Sequence, residues 1–171
     1  MTPAFHSRLT ARRGTCTNAS MPLSFKRSAI VLPVAGRRVL MQLRDPKPGI
    51  LAPGCWGYFG GSIAKGESPR RAAARELYEE IGYAPKKLYR LGQERLRDFE
   101  GILVIAYCCE LDVPLESLRL MEGMDFGLKS MTEVRAGRIF SERAKEYFPI
   151  VPSGFIERMF RAAVERCGGG D

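Results

Sequence analysis

Histidine is nearly missing from this chain: His6 is the single one in 171 residues, which leaves no donor set for a histidine-containing zinc site. Five cysteines (Cys16, Cys55, Cys108, Cys109 and Cys167) form no C-x-x-C pair. With an odd count and no secretory apolar region, they read as reduced thiols of a cytosolic-type compartment. Cys108 and Cys109 sit in an apolar run and read as core. No run of 18 apolar residues occurs, so no transmembrane helix is expected. Acidic residues are absent before Asp45, a stretch that carries eight Lys or Arg. From residue 45 onward 19 basic residues meet 19 acidic ones. The net charge of +8 therefore belongs to the first quarter of the chain, which argues against a nucleic-acid footprint over the whole domain. No internal repeat is evident.

What is present fits one soluble globular domain, with 45% hydrophobic and 27% charged residues and enough length for a sizeable core. Residues 1–24 are rich in Ser, Thr and Arg and read as a basic, flexible segment. Their composition is that of an organellar targeting peptide with a poor amphipathic pattern. The competing readings are a disordered tail and an initiator at Met21, and the expected location is the cytoplasm. Residues 25–167 form the expected domain, and 168–171 a flexible glycine tail.

Residues 25–34 and 38–43 read as strands around a turn at Ala35-Gly36-Arg37. Pro33 inside the first argues for an edge position or a bulge. The loop 45–55 is dense in Pro and Gly and long enough to border a pocket. Residues 56–59 form a short strand. Two further strands are expected over 88–96 and 101–111, the second apolar on both faces and so central between two layers. A loop at 114–123 and a short strand at 126–128 follow. Ser130 and Glu133 have capping-box spacing, residues 141–147 read as weakly helical, and an amphipathic helix begins at Ser153. Its expected buried side is Phe155, Met159, Ala162, Ala163 and Val164. The element order predicts a mixed sheet packed between helices.

The most informative stretch is Gly60–Tyr83, GGSIAKGESPRRAAARELYEEIGY. Glycines mark a loop, then Ser68 as N-cap and Pro69 at the first helical position open a helix. Gly82 suits the left-handed position that closes it. At about 100° per residue, Ala73, Ala74, Leu77 and Ile81 share the buried stripe. Glu76, Glu79 and Glu80 gather on an arc beside it. Like charges at this spacing oppose the helix, so a cation should compensate them, and Mg²⁺ takes oxygen ligands from carboxylates, water and phosphates. A Glu-Glu pair alone is an ordinary solvated face, and Arg75 is well spaced for a surface pair with Glu79. The joint occurrence of all the fixed positions has a chance probability on the order of 10⁻⁵.

The spacing Gly61, Glu67, Arg75-Glu76, Glu79-Glu80, Gly82 resembles the Nudix box at every fixed position, with Tyr83 where the family favours an aliphatic residue. The resemblance, spanning residues 26–135, implies an α/β/α sandwich with a mixed sheet, and a Mg²⁺- or Mn²⁺-dependent hydrolase of pyrophosphate linkages in nucleoside diphosphate derivatives. Transferred by position, Glu79 and Glu80 are implied metal ligands, Glu76 a ligand or water-activating group, and the Gly61 carbonyl a further ligand. Glu67 and Arg75 are implied to be structural. Glu122 resembles a carboxylate that many members supply from a later loop, with Glu100 as competitor. Arg44 reads either as a bidentate phosphate donor or as a surface pair with an acid. Trp56 and Tyr58 read as base-stacking groups or as core aromatics. The expected partner is a small nucleotide, most of all a (deoxy)nucleoside triphosphate or an oxidised one, with nucleotide sugars and ADP-ribose next, no membrane is implied, and homodimers occur in the family. An isomerase of the same fold would place a cysteine such as Cys55 near the box but needs several histidines. A non-catalytic nucleotide- or RNA-binding module is the reading of another class, though such members typically lose glutamates from the box.

Overall fold

The computed structural model describes residues 27–99, 101–152 and 154–169. Residues 1–26, the candidate Glu100, Ser153 at the expected start of the last helix and the last two residues lie outside that set.

A long strand at the centre organises the sheet. β1 (Arg27–Ala35) runs parallel to β6 (Ile102–Glu110) on one side, and β6 pairs antiparallel with β5 (Tyr89–Leu96). On its other side β1 meets two partners in turn, β4 (Phe59–Ser62) and then β2 (Arg38–Leu43). β2 also pairs with β3 (Trp56–Gly57) and β7 (Asp125–Lys129). Pro33 is thus in a central strand, not at an edge or in a bulge. β4 pairs with Ser28–Val31 and β2 with Val34–Ala35, so on that side Leu32 and Pro33 fall in the gap between the two partners, while on the other side Pro33 stays in register with Cys109 of β6.

Alternation along β1 and β6 builds two cores. Ala29, Val31, Ile105, Tyr107 and Cys109 face α1 (Pro69–Ile81), whose Ala72, Ala73, Leu77 and Ile81 are buried against them. Leu32, Val34 and Cys108 face the opposite layer, where α3 (Gly154–Cys167) buries Ile156, Phe160, Ala163 and Cys167. Each fully buried Leu or Ile contributes about 1.5–3 kcal/mol. The architecture is a mixed sheet between helical layers, as expected. On α3, Phe155 and Ala163 are buried as anticipated, while Ile156 and Phe160 replace Met159, Ala162 and Val164, which are only half-buried.

Residues 141–147 are not helical. They join β8 (Arg138–Ser141) to β9 (Glu146–Pro149), an antiparallel hairpin. Buried Asp125 holds its turn, accepting hydrogen bonds from the Ser141 hydroxyl at 2.7 Å and the Arg143 amide at 3.3 Å. Just before it, α2 (Met131–Arg135) carries the expected capping box, the Ser130 hydroxyl accepting from the Glu133 amide while the Glu133 carboxylate accepts from the Ser130 amide. Ser130→Ala should cost about 1 kcal/mol, which denaturant unfolding would measure as a lower midpoint at unchanged slope.

Cys108, Cys109 and Cys167 are free and buried, and burial raises the pKa of the first two thiols. Cys55 departs from the reduced-thiol expectation, being disulfide-bonded. Among the described residues no helix is long and apolar enough to cross a membrane.

Candidate active site

The N-cap and C-cap that the sequence supplies fix where α1 starts and stops. The Ser68 hydroxyl accepts from the Arg71 amide, and Gly82 adopts φ 69° and returns its amide to the Tyr78 carbonyl. Three acidic side chains, Glu76, Glu79 and Glu80, are thereby fixed in place on the helix that packs against β4. Glu80 is the most enclosed, 4% exposed. Its Oε1 accepts from Gln42 Nε2 at 2.6 Å and its Oε2 from the Gly60 amide at 2.8 Å. Its backbone carbonyl receives the amides of Met121 at 2.9 Å and Glu122 at 3.3 Å. Burial pushes the Glu80 carboxyl up to about 8, opposed by the Gln42 hydrogen bond, the Arg44 charge and the Gly60 amide.

Glu76 packs against the bend before the helix. A Cβ built on Gly61 would fall 2.6 Å from the Glu76 carboxyl carbon, so no larger residue fits there while Glu76 keeps this position. Burial raises the Glu76 pKa, with Arg75 opposing it. The Gly61 carbonyl accepts the Ser28 hydroxyl at 2.7 Å.

Arg75 does more than the sequence reading assigned to it. Its Nε and Nη2 donate to Glu67 at 2.9 and 3.1 Å, and Nη2 also donates to the Ser62 carbonyl at 3.1 Å. Its Nη1 bridges Glu76 at 2.7 Å and Glu79 at 2.9 Å. One guanidinium therefore bridges three carboxylates and ties the loop to the helix. Hydrogen bonding to Arg75 is the main reason the Glu67 pKa is lowered.

Of the other sequence-stated residues, Glu122 is exposed and near enough for its charge to raise the Glu76 pKa. Arg44 borders a cavity beside Gly60-Gly61-Ser62, its Nε donating to the Leu51 carbonyl at 2.8 Å. Tyr58 lines the same cavity, its hydroxyl donating to the Ile156 carbonyl at 2.7 Å. Trp56 does not take part. It is fully buried, donates its indole N–H to the Ile139 carbonyl at 3.2 Å and has Lys129 over its ring, so it is a core aromatic. Gln42, which the sequence reading passed over, is the residue brought unexpectedly into the site. Its signal was available, since it is the one polar side chain among the buried positions of β2.

The donor set (Glu76, Glu79, Glu80, Glu122 and the Gly61 carbonyl) is all oxygen, which suits a hard divalent cation. The Arg75 guanidinium shows that a cation is already accommodated between Glu76 and Glu79. Among the described residues no three acidic groups converge on one point.

The sequence matches the NUDIX domain family over residues 24–120, more than half of the chain. The chain belongs to the NUDIX family. On that membership it is an enzyme of the Nudix pyrophosphohydrolase class. Solved structures share the fold at low identity. A MutT NUDIX hydrolase from Burkholderia pseudomallei is 20% identical, with 78% of this chain and 95% of that one covered and a TM-score of 0.55. The NUDIX domain of Shewanella oneidensis NrtR, solved with ADP ribose, is 19% identical over 82% and 85%, with a TM-score of 0.57. A MutT protein from Methanosarcina mazei Go1 is 20% identical over 86% and 99%, with a TM-score of 0.57.

Proposed function

We propose that this Nudix enzyme hydrolyses the pyrophosphate linkage of a nucleoside diphosphate derivative, foremost a (deoxy)nucleoside triphosphate or an oxidised one, with Mg²⁺ or Mn²⁺. The observation that carries the reading is the packing of Glu76 and Glu80 against the Gly60-Gly61 bend, with Glu79 and Glu122 at the rim. Glu76, Glu79, Glu80 and the Gly61 carbonyl would hold the ion, which when bound would neutralise charge on the phosphate oxygens. Glu76 or Glu122 takes the proton of the attacking water as its oxygen bonds to phosphorus and the bridging P–O bond breaks. Glu67 and Arg75 hold the loop in register with the helix.

The cavity of about 160 Å³ next to the bend supports a bound organic group beyond the phosphates. Its wall is chiefly apolar, including Ile30, Leu51, Leu96, Phe99, Val104 and Phe155, with Arg44 placed to meet phosphate. An ADP-ribose or nucleotide-sugar substrate is the second reading, favoured by the fold shared with a domain solved with ADP ribose.

A panel of nucleoside triphosphates, nucleotide sugars and ADP-ribose tests this, assayed with Mg²⁺ and again with EDTA for released phosphate or pyrophosphate from the triphosphates and for nucleoside monophosphate and sugar phosphate from the others. Metal-dependent release from at least one nucleotide is expected, with chelation lowering it by a factor of about 10³ or more, several kcal/mol of barrier. Nucleotide binding without release would favour the non-catalytic module.

A further inference from the structure

Nothing in the family motif assigns a role to β2, yet its interior carries a polar side chain that the fold could have replaced by an apolar one. Gln42 is 1% exposed, in a strand whose other buried positions are Val39, Leu40, Met41 and Leu43. A buried amide among such neighbours costs free energy unless its hydrogen bonds are made. Its Nε2 makes one with Glu80 Oε1 at 2.6 Å. The other Glu80 oxygen is taken by the Gly60 amide at 2.8 Å. Two donors from two different strands therefore fix the plane of one carboxylate, which the helix alone would leave free to rotate.

The amide also lies beside the turn that presents Glu122. Gly123 adopts φ +91°, and a Cβ there would lie 3.0 Å from Gln42 Oε1. The adjoining Glu122 amide donates to the Glu80 carbonyl, and the Met124 amide to the Leu43 carbonyl. Gln42 thus stands between Glu80 on α1 and the turn that presents Glu122.

We propose that Gln42 is a positioning residue for the divalent cation, orienting the Glu80 carboxylate through Nε2 and seating the Glu122 turn against its oxygen. The inference rests on the metal-dependent reading above. Its chemistry is that of a residue behind the ligands, whose loss typically weakens metal binding or activity by a factor of about 10 to 100.

The test is Mn²⁺ binding to the full chain, read from the free-ion signal in electron paramagnetic resonance, with steady-state kinetics beside it. Gln42→Leu should bind Mn²⁺ about tenfold more weakly and lose about 30-fold in kcat, with KM for nucleotide changed less than about threefold. Gln42→Asn, which keeps an amide on a shorter arm, should recover part of both. In a Glu80→Gln background the leucine substitution should add almost nothing, because the two act as one unit. Mn²⁺ affinity equal to wild type, with losses that add in full to those of Glu80→Gln, would overturn the proposal and leave Gln42 a core residue. Absence of Mn²⁺ binding by the wild type would overturn both this inference and the metal-dependent reading. Should the leucine variant not fold, Gln42→Met and Gln42→Asn give the same two readouts.

Discussion

Glu80→Gln should abolish turnover and, in metal-free buffer at pH 8, raise the melting temperature. The two effects have one cause. The carboxylate is enclosed by protein, and burial raises its pKa from the usual carboxylate range to about 8. Between those two values the folded state binds a proton that the unfolded chain has released, so stability falls as pH rises through this window. A neutral amide of the same shape removes that cost: its oxygen accepts from the Gly60 amide as before, and its NH2 requires the Gln42 side chain to turn over and present its oxygen in place of Nε2. With about 1 kcal/mol moving the melting point of a chain this size by roughly 2–4 °C, a gain of a few degrees is expected at pH 8 and none at pH 4. Turnover should fall by a factor of about 10³ or more, because an amide is a poor ligand for a hard cation. Calorimetry at the two pH values and a phosphate-release assay check both halves. Loss of stability at pH 8, or turnover within tenfold of wild type, would count against the assigned role.

Arg75→Ala should have the second largest effect, and through another route. The guanidinium holds Glu67 and the Ser62 carbonyl on one edge while it bridges Glu76 and Glu79 on the other. Its removal frees the loop 62–67 and leaves Glu67, Glu76 and Glu79 without the guanidinium that bonds all three. The side chain is 35% exposed, so the stability cost is set at about 1–2 kcal/mol, below that of a fully buried pair. The functional loss should be larger, about 100-fold in kcat, because the loop continues directly from the end of β4 that carries the Gly61 carbonyl, and misplacement by an ångström is costly. Hydrogen exchange in 62–67 should quicken in the variant, and exchange at the wild-type rate would contradict the tethering role. Arg75→Lys should fall between, since an ammonium keeps the charge but cannot span Glu67 and Glu76 with one planar fork.

The elements that were legible from sequence are those whose signals are local. Ser68, Pro69 and Gly82 bounded α1 correctly because caps depend on residues a few positions apart. The apolar run of β6 announced a central strand for the same reason. Where the reading failed, a distant contact decided the outcome. Residues 141–147 contain Glu, Arg, Ala and Lys, good helix formers, but Asp125 captures the Ser141 hydroxyl and the Arg143 amide and imposes a turn. Pro33 looked like an edge residue because the sequence cannot show that two strands share the same side of β1. Trp56 offered a stacking face on paper, and the β8 strand claims its N–H. Within the site, the spacing of the box was readable, and Gln42 was visible as a polar residue in an apolar strand, but its contact with Glu80 was not, since that partner lies 38 residues away on a helix. The i,i+4 spacing of Arg75 and Glu79 offered their pair from sequence, whereas the simultaneous bridge to Glu67, Glu76 and the Ser62 carbonyl requires the loop and helix to be already packed.

The most direct test is to locate the ion. Crystals of the wild-type chain soaked with Mn²⁺ and a non-hydrolysable nucleoside triphosphate analogue, measured at the manganese absorption edge, would show where it binds. The account predicts an anomalous peak in contact with the phosphates, the Gly61 carbonyl and at least two of Glu76, Glu79 and Glu80. Manganese bound elsewhere, with the phosphates away from the Gly60-Gly61 bend, would contradict it.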